Sequence, residues 1–191
     1  MKLLLATGNQ GKLREFKALL PGVSLVVAPS LVVRETGKTF AANAIIKARA
    51  YGKKYQTLTV ADDSGLTIDA LPNQLGIRLA RFAKSFGGFT PAKKRLLQLL
   101  KLVPQSRRSA RFICVAVLYD PKTDRSKTFS GKVEGTIANF TRGRGGFGYD
   151  SIFIPAGYSK TFGQLPASVK NKLSHRAQAL QKLVKYLKLR P

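Results

Sequence analysis

Residues 58–66, reading L-T-V-A-D-D-S-G-L, constrain this chain more than any other stretch. β-favouring and small apolar residues lead directly into two adjacent carboxylates, followed by Ser64 and Gly65. A strand that ends in carboxylates places them at a sheet edge, where α/β proteins collect their ligands. The chain has nine acidic residues against thirty-four Lys and Arg, so an adjacent acidic pair is conspicuous. Like charges at that separation repel unless a cation or lysines offset them, which points to a metal or phosphate site. The same residues also suit an Asp-Ser-Gly turn between two strands, with the acids as turn formers.

The remaining bounds follow from composition. A chain of 191 residues is long enough for one domain, spanning 1–191, with a substantial interior. A hydrophobic content of 44% fits a globular protein rather than a disordered basic tail. No apolar run approaches the roughly 18 residues of a membrane span, and the first residues lack the length of a secretory signal. Cys114 is the single cysteine, which excludes an intrachain disulfide and makes the cytoplasm the expected compartment. The net charge of +25 attracts polyanions, so weak, salt-sensitive nucleic-acid binding is expected, and a non-specific nucleic-acid-binding protein is the alternative reading of the whole chain. The lysines are scattered, however, which suits a solvated surface equally well.

Along the chain, residues 2–6 read as a buried strand that breaks at Thr7, Gly8 and Asn9. Leu13, Phe16, Leu19 and Leu20 then repeat like one helix face. A strand, a polar glycine turn holding Gln10 and Gly11, and a helix with Lys12 in its first turn form a geometry that meets phosphate. The Walker spacing is absent. Residues 24–28 suit a second strand, and Thr39 caps a helix that runs to about Tyr51. Strands are expected over 58–61 and 66–70, an irregular segment over 71–90, and a basic helix opened by Pro91. Residues 111–119 and 126–137 read as an antiparallel pair around the turn at 121–124. The loop 142–148 leads to Tyr149, Asp150 and a short strand over 152–154, and a last helix starts near Ser174.

The loop contains G-x-G-x-x-G, but it comes late and runs toward a strand, which argues against a dinucleotide fingerprint. Phe147 with Tyr149 and Asp150 offers a stacking face beside a polar reader, or else a structural loop with aromatic plugs. His175 is the sole histidine; with Arg176 it stands at a helix start, where an anion or a carbonyl oxygen could be held.

Five motifs occur in order: T-G-N-Q-G-K at 7–12, E-T-G-K-T-F at 35–40 with Asn43, Ala44, Lys47 and Ala48, A-D-D-S-G-L at 61–66, G-G-F-G-Y-D at 145–150, and K-N-K-L-S-H-R at 170–176. Together they resemble the inosine triphosphate pyrophosphatase (ITPase) family over essentially the whole chain. The resemblance implies an elongated α/β fold with a long mixed central sheet, flanking helices and two lobes around a cleft, assembled as a homodimer. It implies magnesium-dependent hydrolysis of ITP, dITP and XTP to monophosphate and pyrophosphate. It also implies roles: Thr7, Gly8, Asn9, Gln10, Gly11 and Lys12 grip the triphosphate, Asp63 is catalytic and a metal ligand, and Glu35 is the second metal ligand. Ser64 lies beside the nucleotide, Phe147, Gly148, Tyr149 and Asp150 bind the base, and Lys170, His175 and Arg176 meet the purine.

Three positions depart from the family pattern. Ala42 replaces a glutamate, which removes either half of a capping box or part of an acidic cluster. Ser151 replaces a proline, and Gln164 replaces an acid. Glu35, Asp62, Asp63 and Asp150 all remain, so the departures read as a general loss of acids rather than a loss of catalysis.

Overall fold

The structure, a computed structural model, describes residues 2–72 and 74–188. Six strands form one sheet in the order β2-β1-β3-β4-β5-β6. They are β1 (Lys2–Leu5), β2 (Ser24–Val27), β3 (Thr59–Ile68), β4 (Ser109–Asp120), β5 (Arg125–Ile137) and β6 (Phe153–Pro155). β1 pairs in parallel with β2 and β3, whereas β5 and β6 are antiparallel, so the sheet is mixed as expected. The helices are α1 (Gln10–Leu19), α2 (Phe40–Tyr55), α3 (Leu79–Ser85), α4 (Phe89–Leu99), α5 (Ala167–Leu173) and α6 (His175–Lys188).

Contacts gather the chain into two compact units. The first holds residues up to Ser64, Cys114–Gly131 and residues from His175 onward; the second holds Gly65–Ile113 and Lys132–Ser174. In the first unit β1 is apolar at successive positions because helices cover both faces of the sheet there. Leu3 and Leu5 pack with Phe16 and Leu20 of α1 and Leu180 and Leu183 of α6. Leu4 points the other way, into Ala44, Ala48 and Tyr51 of α2. Each fully buried leucine contributes roughly 1.5–3 kcal/mol. The second unit has its own core, with Leu66, Ile68, Leu96, Leu100, Phe112, Ile137, Phe153 and Phe162 buried together.

Five expectations change. Residues 58–61 and 66–70 do not flank a turn; one strand, β3, runs through both carboxylates, with Asp62 and Asp63 in its middle rather than at its end. Lysines and an arginine neutralise the pair there, so the charge does not force the chain to bend. The segment 71–90 carries a 3₁₀ turn at Gly76–Arg78 and all of α3, and α4 starts two residues before Pro91. Proline is tolerated there because the first-turn N–H groups have no intrahelical partner. α2 continues to Tyr55 and ends where Gln56 takes a left-handed conformation (φ 46°). The expected strand over 152–154 is shifted, since residues 150–152 form a 3₁₀ turn before β6. No helix among the described residues is long and apolar enough to cross a membrane.

Candidate active site

The first unit builds a cluster of charge around β3. The loop after β1 turns on local bonds: Thr7 Oγ1 accepts from the Asn9 amide (3.2 Å), and Asn9 Oδ1 caps α1 by accepting from the Lys12 amide (3.0 Å). That cap aims Lys12 back at β3, where its Nζ lies 3.1 Å from Asp62 Oδ2. Lys47, from the second turn of α2, donates to the Asp62 carbonyl at 3.0 Å and pairs with Glu35 at 2.8 Å. Arg176, at the start of α6, donates from Nη2 to Asp62 Oδ2 (3.0 Å) and Ser64 Oγ (2.9 Å), and from Nη1 to Glu15.

Asp62 and Asp63 therefore have different environments. Asp62 is 1% exposed, and burial works to raise its carboxyl, but Lys12, Arg176 and Lys47 outweigh burial and hold it well below the usual carboxylate range. Arg176, itself 1% exposed, is held charged by Asp62 and Glu15 against its own desolvation. Asp63 moves the opposite way. Burial raises its carboxyl and the Glu35 charge adds to that, against Lys12, Lys47 and a hydrogen bond from Asn43. Its two oxygens are pinned, Oδ2 by Asn43 Nδ2 (3.1 Å) and Oδ1 by the Ser64 amide (2.9 Å).

The donor set suits a hard divalent cation. The Glu35 charge works to raise the Asp63 carboxyl, a repulsion that a cation would relieve. Among the described residues no three His, Cys, Asp or Glu side chains converge as a complete set. Two carboxylates, with phosphate oxygens and water in the remaining positions, is the way magnesium binds beside nucleotides.

The second unit holds a separate cluster. Asp150 Oδ2 accepts from the Phe147 amide (2.7 Å) and pairs with Lys170, whose ammonium lies 5.0 Å from the centre of the Phe147 ring. Phe89 meets Tyr149 edge-on at 5.6 Å, and burial pushes the Tyr149 phenol up to about 12. Gly146 and Gly148 take positive φ (70° and 60°), and a Cβ on Gly146 would collide with Asp150 Oδ2 at 2.0 Å. Glycine there lets the loop close on its own carboxylate.

Of the residues singled out in the sequence, the structure joins Lys12, Asp63, Ser64, Glu35 and Arg176 in one network, and Phe147, Asp150 and Lys170 in another. His175 is 4% exposed, and its carbonyl packs over Gly131. The sequence marked Asp62 only as half of the acidic doublet, and assigned no separate part to Asn43, Lys47 or Glu15. Asn43 and Lys47 stood inside a recognised motif, which was their only signal. The departures are mild: Thr39 Oγ1 still caps α2 at the Ala42 amide (3.1 Å), Ser151 Oγ accepts from Lys93 (2.9 Å), and Gln164 Oε1 keeps an acceptor for the Thr161 amide (3.1 Å).

Comparison with known proteins agrees with the motif order. The Ham1 family matches residues 3–186. The dITP/XTP pyrophosphatase of Desulforamulus reducens is 44% identical, covering 98% of this chain and 96% of the relative. The solved Ham1 protein of Staphylococcus aureus is 36% identical with a TM-score of 0.85, and that of Coxiella burnetii 37% with 0.84; each match covers 98% of both chains. With its five motifs in order and its mixed α/β sheet matched along nearly its full length, the chain belongs to the Ham1 family.

Proposed function

We propose that this protein hydrolyses non-standard purine nucleoside triphosphates (ITP, dITP and XTP) to the monophosphate and pyrophosphate, clearing them from the nucleotide pool. The observation that carries the reading is Asp63. It is a carboxylate 8% exposed, pinned at both oxygens, and set between the Glu35 charge and the lysines Lys12 and Lys47. Relatives named dITP/XTP pyrophosphatase at about this length support the substrate class.

Asp63 and Glu35 would hold magnesium, which when bound polarises the phosphoryl group and acidifies the attacking water. Asp63 orients that water or takes its proton. Lys12 and Lys47, with the amides of residues 7–11, offset the charge that develops on the departing pyrophosphate. Phe147, Gly148, Tyr149, Asp150 and Lys170 bind the base, with the Phe147 ring and the Lys170 ammonium already set by Asp150. Arg176 is engaged on Asp62 and Ser64, so its part in recognition passes through Ser64, and His175 stands beside it at the same helix start. A site that presents donors to a 6-oxo group rejects the 6-amino group of adenine, because buried donors left unpaired are costly. A homodimer is the proposed assembly, and the basic surface adds weak, salt-sensitive binding to nucleic acid.

Incubation of the protein with ITP, XTP, GTP and ATP, each with magnesium, tests the reading. Pyrophosphate should appear from ITP and XTP with kcat/KM at least about a hundredfold above that for ATP, the discrimination that a buried hydrogen-bonding mismatch supports. Equal turnover of all four would contradict it.

A further inference from the structure

Asn43 lies in the first turn of α2 and is 1% exposed. Its amide bonds two segments of the first unit. Nδ2 donates to Asp63 Oδ2 (3.1 Å), and Oδ1 accepts from the Gly37 amide (2.8 Å). Chemistry fixes that orientation: a backbone N–H only donates and an ionised carboxylate only accepts, so a flipped amide would lose both bonds.

The segment beyond Glu35 is pressed onto this turn. A Cβ at Gly37 would fall 2.7 Å from both Asn43 Oδ1 and the Ala42 Cβ, and 2.9 Å from the Asn43 amide nitrogen. Only glycine permits that approach. Thr39 Oγ1, two residues on, caps the same turn at the Ala42 amide. One rigid amide thus ties Asp63 to the segment that carries Glu35, and Ala42 beside it offers no polar side chain.

We propose that Asn43 is the positioning residue that sets the separation of the two acidic side chains, Asp63 and Glu35. The proposal rests on the reading of those two carboxylates as the divalent-ion pair. A short neutral amide suits the task. It satisfies Asp63 Oδ2 without neutralising the carboxylate, as a lysine would, and without repelling it, as an aspartate would. Asn43 touches no substrate and acts only through the groups that it holds.

The test combines three readouts on the full chain: hydrogen exchange at the Gly37 amide, Mn²⁺ affinity beside α,β-methylene-ITP, and kcat/KM for ITP. In Asn43→Ala the Gly37 amide should exchange at least about tenfold faster, since its acceptor is gone. Mn²⁺ affinity and kcat/KM should each fall about 10- to 100-fold, the range for groups that orient metal ligands. Asn43→Asp is isosteric and keeps an acceptor for Gly37. It should hold Gly37 protection within about threefold of wild type while kcat/KM still falls about tenfold or more. Unchanged Mn²⁺ affinity in Asn43→Ala, or unchanged kcat/KM in Asn43→Asp should the alanine variant not fold, would overturn the proposal. So would unchanged Gly37 exchange in Asn43→Ala. Failure of the wild type to bind Mn²⁺ would overturn the site reading along with it, which separates the two failures.

Discussion

In a strand, adjacent side chains leave by opposite faces, and that is how β3 accommodates two neighbouring carboxylates. Asp62 goes to Arg176 and Lys12, and Asp63 to Asn43. One is held ionised by the cations around it and keeps them in place; the other is left with a raised pKa and a supporting hydrogen bond. Asp62→Asn should therefore cost about 3–5 kcal/mol of stability, because it leaves the buried Arg176 charge without its main partner. The pH dependence has a definite sign. A carboxyl held low in the folded state stabilises fully above its ordinary pKa of about 3.9 and loses that contribution as pH falls below it. Urea unfolding between about pH 3 and 7 should show wild type losing stability at the acid end more steeply than Asp62→Asn. Parallel pH profiles would contradict the hub assignment. None of this was legible in the doublet itself, because Arg176 stands 114 positions away in the chain.

At the scale of elements, the parts read correctly from sequence are those whose causes are local. The Thr39 cap and the apolar face of α1 were both visible as short patterns. α3 and α5 were not, since each is seven residues long and offers too little apolar repeat to register. The placement of α6 depends on a contact that no pattern shows. A Cβ at Gly131 of β5 would fall 2.1 Å from the His175 carbonyl oxygen and 2.7 Å from the Ala179 amide nitrogen. Those are backbone atoms, so they cannot rotate away. Gly131→Ala should push α6 off β5, lowering stability by about 1–3 kcal/mol or more and disturbing Arg176 at the helix start. Thermal unfolding and ITP turnover should fall together, and a variant as stable as wild type would refute the close approach.

Across the whole molecule, five weak motifs in order identified the family where each alone did not, and the +25 charge identified nothing. Both units carry an excess of lysine and arginine, so the charge is not confined to one of them. Its field speeds the encounter with a triphosphate at low salt, but it does not perform the hydrolysis. On the proposed reading the chemistry rests on Asp63. The most direct measurement is therefore the yield of pyrophosphate and IMP from ITP with magnesium, by wild type and by Asp63→Asn, with circular dichroism on both. Wild type should release the two products one for one. Asp63→Asn should keep the wild-type spectrum and lose at least about three orders of magnitude in kcat, as when a group acting in the transition state is removed. Release of orthophosphate and IDP instead, or wild-type turnover by Asp63→Asn, would contradict that reading.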